Sequence, residues 1–236
     1  VLSLTANGLG GGSLINAGVA IEPDADVLQQ PCWPAPLRSG TDVGKHSMAR
    51  AFRRARRTLG ARTWHDDEPL PKSRALERLA PHLRRGAQAR AVRVTIDGRA
   101  CTRCGHCATG CNVPGAKLTL RETYLAGAVR RGAQLVTGGS AYLVTPPGPG
   151  AAFGDDRWQV WVVPTGRLAS LDTQASVLAC EHGRRFTARR LIIAAGTFGS
   201  AELLQRSREH HGAAFPLSPA LGKRYSGNGD SLSFIV

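Results

Sequence analysis

Near its start the sequence reads GLGGGSLINAG, residues Gly8–Gly18, and it continues into the short apolar segment Ala17–Ile21. Glycines let a backbone approach a cofactor closely and present amide N–H groups to phosphate oxygens. Ser13 and Asn16 add polar side chains to this loop. The stretch therefore predicts a binding loop for a phosphate-bearing cofactor, with an ordinary glycine-rich surface loop as the alternative.

A second glycine turn lies nearer the C-terminus, where the apolar run Leu191–Ala195 is followed by GTFGS, Gly196–Ser200. An apolar run of strand length is typical of a central parallel strand that is buried on both faces. The turn leads into a predicted helix, Ala201–Ser207, whose N-terminus favours an anion. Three short strands are predicted before the run, as an antiparallel meander: Ala141–Val144, Trp158–Val163 and Ser176–Cys180.

Local signals predict the elements between these two glycine segments. Gly60 is expected to cap a helix, and Asp97-Gly98 is expected to form a turn. The stretch TLRE, Thr119–Glu122, is a capping box that starts a helix. The predicted elements are helices Met48–Leu59 and Leu76–Leu83, a strand Val92–Ile96, a helix from the capping box to Arg131 that Gly132 ends, and a strand Leu135–Thr137.

The composition of the chain excludes two classes of protein. Apolar residues make up 42% and charged residues 20% of the 236 residues, which is not the composition of a disordered chain. No apolar run approaches the length of about 18 residues that a membrane span needs.

The 31 basic and 17 acidic residues give a formal charge of +14, which we interpret as a solvated arginine-rich surface, with attraction to polyanions as the alternative. Because no signal peptide is recognisable, we expect a cytoplasmic location.

Four cysteines follow one another at the spacing C-x₂-C-x₂-C-x₃-C. Bacterial iron–sulfur proteins have this spacing, although here no proline directly follows the last cysteine. A 4Fe-4S cluster would take all four cysteines, or three of them with Cys32 or Cys180 as a remote ligand. A zinc site is the alternative, with His106 as a replacement ligand, and thiols packed in a loop or disulfides in an exported protein need no metal. We predict that four sulfurs form one metal-sized cluster: Cys101, Cys104, Cys107 and Cys111.

A third glycine segment, SGNGD at Ser226–Asp230, is an Asn-Gly turn signal. Taken together, the three glycine segments resemble the glucose–methanol–choline (GMC) family of flavin oxidoreductases, most closely its cholesterol-oxidase-like branch. The resemblance covers most of the chain. It rests on Gly10–Ala20 with Glu22-Pro23, on Gly115-Ala116-Lys117 and Tyr124-Leu125, on Ala195–Ser200 with Leu203-Leu204, and on Asn228-Gly229-Asp230.

The resemblance implies an α/β (α+β) fold. Its core would be an FAD-binding nucleotide domain of the glutathione-reductase-like type with a β-meander, accompanied by part of a substrate-covering domain. Residues 1–28 and 119–236 would belong to the FAD-binding domain, residues 29–99 to the substrate-covering domain, and residues 100–118 would form a cysteine-rich loop.

The resemblance also implies where FAD would lie. The first glycine segment would run along the flavin and its pyrophosphate, with Asn16 near the isoalloxazine ring. The first meander strand would pass the adenine near Ala141, and Gly196 would close on the cofactor. The implied cofactor-binding residues are Gly11, Gly12, Ser13, Asn16, Ala17, Gly18, Val19, Ala141, Gly196, Asn228 and Gly229.

Two features of the family have no match in this sequence. No G-x-G-x-x-G unit precedes the first glycine loop, and no segment corresponds to the C-terminal catalytic His with its Asn or His partner. We therefore expect an internal fragment that alone neither holds FAD tightly nor turns over an alcohol, and we assign no catalytic residue. The histidines are predicted to be surface residues, among them His46, His65, His106, His182, His210 and His211.

The function that the resemblance implies is FAD-dependent oxidation of a CH–OH group by hydride transfer to the flavin. A bulky apolar alcohol such as a sterol would be the substrate, and oxygen or another acceptor would take the electrons. The cysteine run suggests two alternatives, an iron–sulfur electron-transfer module and a basic zinc-bearing nucleic-acid binder. The second ranks last because the sequence lacks interleaved aromatic residues and a groove-reading helix, so nucleic acid is not an expected partner.

Overall fold

The computed structural model describes residues 6–24, 26–38, 48–64, 70–83, 86, 88–148, 156–168, 183–223 and 225. The chain divides into two compact units, Val1–Leu135 and Val136–Val236. Both contain helices and sheet, in agreement with the predicted mixed fold. The glutathione-reductase-like type and the four segment boundaries stay predictions.

Two helices of the first unit form where local signals favour them. Helix α1 (Met48–Thr58) ends in the predicted glycine cap, since Gly60 has φ +61° and the N–H of Ala61 donates to the carbonyl oxygen of Arg56 at 2.9 Å. Helix α2 (Pro71–Leu83) begins earlier than the predicted Leu76. Proline at a first helical position loses no helical hydrogen bond, which explains this early start.

The predicted strand Val92–Ile96 organises the sheet of the first unit. Strands β1 (Arg62–Thr63) and β2 (Arg93–Val94) pair antiparallel. The N–H of Thr95 also donates to the carbonyl oxygen of Gly18 at 2.7 Å, and the N–H of Asp97 donates to that of Ala116 at 2.7 Å. Through these two bonds the extended segment that contains Thr95 and Asp97 connects Gly18 of the glycine loop with Ala116, which follows the cysteines. The predicted Asp97-Gly98 turn is confirmed by the bond from the N–H of Cys101 to the carbonyl oxygen of Asp97, 3.0 Å.

The capping box is also confirmed. The Thr119 N–H donates to Oε2 of Glu122 at 2.9 Å, and the N–H of Arg121 donates to the hydroxyl of Thr119 at 3.2 Å. The helix begins with a π-helical turn, Arg121–Leu125, and continues as α3 (Ala126–Val129). Gly132, with φ +90°, follows its end as predicted.

Glu122 makes the stability of this helix start sensitive to acid. Burial raises the pKa of this carboxyl, but hydrogen bonds from Thr119 and Arg121 outweigh burial and lower the pKa from 4.5 to about 2. Between these two values the unfolded chain binds more protons than the folded chain, so the stabilisation is present above pH 4.5 and is lost as the pH falls towards 2.

Glu122→Gln is therefore expected to flatten the fall in unfolding free energy below pH 4.5. Urea unfolding at pH 6, 4 and 3 measures this slope. The control is Glu77→Gln, since Glu77 is exposed on α2, and it is expected to keep the wild-type slope. Equal slopes for Glu122→Gln and wild type would contradict the prediction.

The second unit contains a three-stranded antiparallel meander in the order β3 (Gly139–Thr145), β4 (Trp158–Pro164) and β5 (Arg184–Ala188). The first two strands confirm the prediction. The predicted third strand, Ser176–Cys180, lies outside the described residues, and the observed third strand was not predicted. A short helix, α4 (Thr165–Leu168), follows β4. The predicted strand Leu135–Thr137 is wrong, because these residues are not in a strand.

A β-bulge shapes the core side of β3. The register shifts between Ala141 and Leu143, and three consecutive residues, Tyr142, Leu143 and Val144, are buried. A regular strand would alternate buried and exposed residues, whereas a bulge redirects one side chain. Tyr142 and Leu143 pack with Val163 and Trp161, while Val144 packs with a second cluster around Leu203 and Phe215.

The predicted central parallel strand Leu191–Ala195 is wrong in the described structure, since these residues pair with no described strand. Leu191 and Ile193 pack against the core cluster of Val144, whereas Ile192 is 88% exposed. This alternation is that of an extended chain. A strand assignment needs a hydrogen-bonded ladder as well, and no described strand supplies one.

Helix α5 (Gly196–His211) is longer at both ends than the predicted Ala201–Ser207. Ser200 Oγ accepts a hydrogen bond from the N–H of Ala195 at 3.0 Å, which stabilises the first turn. Gly212, with φ +55°, follows the last residue. None of the described helices is both long enough and apolar enough to cross a membrane.

Side chains of α5 cover the outer edge of β3. Ser207 Oγ accepts a hydrogen bond from the N–H of Val144 at 3.0 Å, and Nε2 of His211 lies 3.1 Å from the carbonyl oxygen of the same residue. Arg206 donates to the carbonyl oxygen of Tyr142 at 3.2 Å. An edge strand whose backbone groups are bonded in this way no longer offers a free ladder.

The surface prediction for the histidines holds at three described positions and fails at a fourth. His82, His106 and His210 are exposed, but His211 is half-buried and contacts β3, and burial lowers its pKa. The failure has a tertiary cause, because the partner of His211 lies in a distant strand. His46, His65 and His182 lie outside the described residues.

Candidate functional site

The glycine loop is a compact turn built by its own backbone. A short 3₁₀ turn covers Gly11–Leu14 and is preceded by Gly10 with φ +113°. The N–H of Gly11 donates to the carbonyl oxygen of Gly8 at 3.0 Å, and the N–H of Asn16 donates to that of Gly12 at 2.9 Å. Gly10 and Gly11 both adopt positive φ, which explains why glycine is needed at these two positions.

The five glycines of this loop and its exit divide into two structural classes. A Cβ atom built on Gly8 or Gly10 would lie 3.2 Å from the side chain of Leu14, and one built on Gly18 would lie 3.1 Å from Cγ1 of Ile96. These three glycines permit close internal packing. A Cβ atom built on Gly11 or Gly12 would meet no described atom within 4 Å. The backbone of Gly11 and Gly12 therefore faces open space, where a cofactor can approach it closely.

The polar side chains of the loop hold its conformation. The Ser13 hydroxyl donates to the carbonyl oxygen of Gly10 at 2.6 Å and accepts from the N–H of Leu120 at 3.0 Å. Oδ1 of Asn16 accepts from the N–H of Gly18 at 3.1 Å. The Nδ2 amide of Asn16 has no hydrogen-bond partner among the described residues, and the residue is exposed. This amide is therefore available as a donor to a ligand.

The end of the loop has both exposed and buried residues. Ala17 and Val19 are exposed, while Gly18 between them is buried. Val19 forms an isolated bridge with Val94, and the N–H of Ala20 donates to the carbonyl oxygen of Arg93 at 2.8 Å. The extended segment around β2 thus holds the exit of the loop in place.

Lys117 links the glycine loop to the cysteine loop. Lys117 is 5% exposed. Its ammonium group donates to the carbonyl oxygens of Leu14 at 3.0 Å, of Cys107 at 2.8 Å, and of Asn16. Burial lowers its pKa, and the Cys107 and Cys111 thiols act in the opposite direction. The family resemblance includes Lys117, but the sequence alone assigns it no site role. The Gly115-Ala116-Lys117 signal is present, yet nothing in the sequence identifies its partners about a hundred residues away.

The cysteine loop does not form the predicted metal cluster. Among the described residues, no group of three or more His, Cys, Asp or Glu side chains is placed to hold a metal ion. The four cysteines of the run are free thiols, and so is Cys32, which is exposed. Cys180 lies outside the described residues. The metal ligand prediction for Cys101, Cys104, Cys107 and Cys111 therefore finds no support in the described structure.

The contacts of the thiols explain this outcome. Sγ of Cys101 accepts from the N–H of Arg103 at 3.4 Å, and Sγ of Cys111 donates to the carbonyl oxygen of Val113 at 3.7 Å. Cys104 is exposed, and hydrogen bonds from His106 N–H and the Thr102 hydroxyl lower its pKa. Burial raises the pKa of Cys107, and the neighbouring thiols of Cys101, Cys111 and Cys104 raise it further. The thiols of Cys101 and Cys111 are thus bonded to the backbone of their own loop.

The remaining predicted cofactor residues belong to the second unit. Ala141 is exposed at the bulge of β3, and Gly196 begins α5 with φ +74° and open space around its Cβ position. Both features leave room for a ligand. Asn228 and Gly229 lie outside the described residues, so their assignment stays a prediction.

Comparison with known proteins finds three relatives, each of which is named cholesterol oxidase. Cholesterol oxidase from Mycobacterium tuberculosis (strain CDC 1551 / Oshkosh) is 36% identical over 132 residues, which are 56% of this chain and 20% of that protein. The cholesterol oxidase of strain ATCC 25618 / H37Rv gives the same values. Cholesterol oxidase from Acinetobacter baumannii is 25% identical over 257 aligned positions, covering 98% of this chain and 42% of that protein. No solved structure matches the chain significantly.

The chain covers 20% of the length of the two Mycobacterium tuberculosis proteins and 42% of the length of the Acinetobacter baumannii protein. The family model of GMC oxidoreductase matches residues 1–225, which is nearly the whole chain. This match includes the glycine loop with its open backbone at Gly11 and Gly12, the Lys117 contact and the meander. The expected resemblance is therefore confirmed, and the chain belongs to the GMC oxidoreductase family, whose members use FAD.

Proposed function

We propose that this chain supplies a flavin-contacting part of an FAD-dependent oxidoreductase that acts on CH–OH groups. The observation that carries the proposal is the open backbone at Gly11 and Gly12, in a loop that the family match includes. Neither position has a described atom within 4 Å of a built Cβ, so the backbone of both residues is open to close approach by a ligand. FAD, when bound, would supply the hydride acceptor.

The residues of the loop would hold the cofactor in three ways. Gly11 and Gly12 would allow close approach of the backbone, and Ser13 would keep the loop in shape through its bonds to Gly10 and Leu120. Asn16 would donate its Nδ2 amide to the flavin, since Oδ1 already accepts from Gly18. The family resemblance alone implies that Ala141 and Gly196 would also contact the cofactor.

The substrate proposed is a bulky apolar alcohol such as a sterol. Its support is the name of the relatives, cholesterol oxidase, at 36% and 25% identity. Oxygen or another acceptor would take the electrons from the reduced flavin. The iron–sulfur, zinc and nucleic-acid alternatives are not proposed, because no described residue group fits a metal. The cytoplasmic location stays a prediction.

Asn16→Leu is expected to weaken flavin binding. The variant removes the only side-chain amide of the glycine loop and leaves its partner on the flavin unpaired, which costs about 1–3 kcal/mol. This corresponds to a rise of about 5- to 150-fold in the dissociation constant of FAD. Titration of the deflavinated intact oxidoreductase that contains this chain with FAD, followed by flavin fluorescence, measures the constant.

The control for this experiment is Asn112→Leu, which makes the same chemical change at an exposed position of the cysteine loop. It is expected to leave FAD binding unchanged. Asn16→Asp retains the acceptor for the N–H of Gly18 but lacks the amide donors, so it separates the flavin contact from the shape of the loop. Wild-type affinity in both Asn16 variants would refute the assignment of Asn16.

A further inference from the structure

Lys117 is a buried cation whose partners are all backbone carbonyl groups. Its three hydrogen bonds reach Leu14 and Asn16 in the glycine loop and Cys107 in the cysteine loop. An ammonium group has three N–H donors, so these bonds use the full donor capacity of the side chain. No carboxylate forms an ion pair with Lys117 among the described residues.

Burying a lysine side chain costs free energy, so its presence suggests that its hydrogen bonds have a role that a neutral residue cannot fill. Removing an ammonium group from water is unfavourable, which is the cause of the lowered pKa of Lys117. A surface loop with a compact backbone needs no such cation for stability alone, because apolar replacements are often as stable as buried charges. The position of the bonds, between two loops, suggests a role in placing the loops.

The bond from Lys117 to Asn16 also sets the direction of the next backbone donor. In a trans peptide the C=O and the following N–H point in opposite directions. Because the Asn16 carbonyl points to Lys117, the N–H of Ala17 points away from it. Ala17 is exposed, and its N–H has no acceptor among the described residues.

We propose that Lys117 is a positioning residue for the flavin: its ammonium group holds the Leu14 and Asn16 carbonyls and thereby presents the Ala17 N–H to the isoalloxazine ring. The inference rests on the proposed function, since the ring is its ligand. Through the bond to Cys107, the cysteine loop is the second anchor of this arrangement. Lys117 does not touch the reacting atoms and acts only through the loop.

The role can be tested without flavin by hydrogen exchange in the apoprotein. Lys117→Met removes the charge and all three donors at similar length. The amides of residues 8–18 are expected to exchange about 10- to 100-fold faster in the variant, which is the loss of hydrogen bonds to a charged group expressed as a rate ratio. Lys72→Met is the control, because Lys72 is exposed on α2. Unchanged exchange in residues 8–18 would overturn the inference whether or not the protein binds flavin.

A second measurement distinguishes positioning from general stability. In the intact oxidoreductase that contains this chain, the dissociation constant of FAD is expected to rise about 10-fold or more in Lys117→Met, and Lys117→Arg, which keeps the charge and the donors, is expected to recover part of the affinity. An intact wild-type protein that binds no FAD would refute the proposed function, while the exchange experiment would still decide the role of Lys117. Wild-type FAD affinity in Lys117→Met would overturn the inference and leave the proposed function standing.

The pH dependence provides a readout for a variant that folds poorly. In wild-type protein the FAD affinity is expected to fall as the pH rises through the lowered pKa of Lys117, because the neutral amine has too few donors for three carbonyls. The titratable groups that act on Lys117 are the thiols of Cys107 and Cys111, so the double variant Cys107→Ser/Cys111→Ser is measured beside it. A wild-type affinity that does not change as the pH rises through the pKa of Lys117 would overturn the inference.

Discussion

Leu143→Ala is expected to lower the free energy of unfolding by about 2–5 kcal/mol. Leu143 is 1% exposed and packs with Tyr142, Val163 and Trp161 between the first two meander strands. Its truncation removes apolar contacts and leaves a cavity, because the bulged strand cannot collapse freely around it. Urea unfolding followed by tryptophan fluorescence measures the change.

The control for Leu143 is Leu83→Ala, since Leu83 is 68% exposed at the end of α2. An exposed leucine is expected to change the unfolding free energy by less than about 0.5 kcal/mol. Equal effects of the two variants would mean that the Leu143 cluster does not form the core of the meander.

Gly18→Val is expected to have the largest effect on the stability and the flavin content that depend on the glycine loop, Gly8–Gly18. Gly18 has φ +75°, which a β-branched residue rarely adopts, and its Cβ would lie 3.1 Å from Cγ1 of Ile96 and 3.4 Å from Oγ1 of Thr95. The strained backbone costs about 1–3 kcal/mol, to which the close contact adds. The bond from Gly18 N–H to Asn16 is expected to be lost with it, so both thermal stability and flavin content should fall.

Gly12→Ala is the matched control in the same loop. Gly12 is part of the 3₁₀ turn without a positive φ, and nothing lies within 4 Å of its Cβ position. Its effect on the unfolding free energy is expected to stay below about 0.5 kcal/mol. A Gly18→Val protein with wild-type stability and wild-type flavin content would show that the glycine is not required by the structure.

The cysteine run has a metal-binding spacing without a metal-binding geometry. The spacing of the four cysteines permits a cluster, but coordination needs sulfurs that point to a common centre. In the described structure the loop is built from left-handed turns, with positive φ at Arg103, Gly105 and Gly110, and its thiols are bonded to nearby backbone groups. The direction of each side chain is set by these turns, and no spacing pattern contains that information.

The sequence by itself determined the features that depend on neighbours along the chain. The Gly60 cap, the Asp97-Gly98 turn and the Thr119 capping box are each closed by hydrogen bonds over five residues or fewer, so their residue types are sufficient to predict them. The meander strands β3 and β4 were predicted as short apolar segments separated by a turn-rich linker. The family resemblance of its residues predicts that the glycine loop is a cofactor site.

Only the tertiary structure decided which glycines face open space and which permit packing, because Gly11 and Gly18 have different spatial neighbours. It also decided the two partners of Lys117 in the glycine loop, which are about a hundred residues away, and the cover that Ser207 and His211 give to β3. The strand predicted at Leu191–Ala195 failed for the same reason, since a ladder needs a second strand. Contacts over long distances in sequence depend on the whole packing of the chain, which local patterns do not contain.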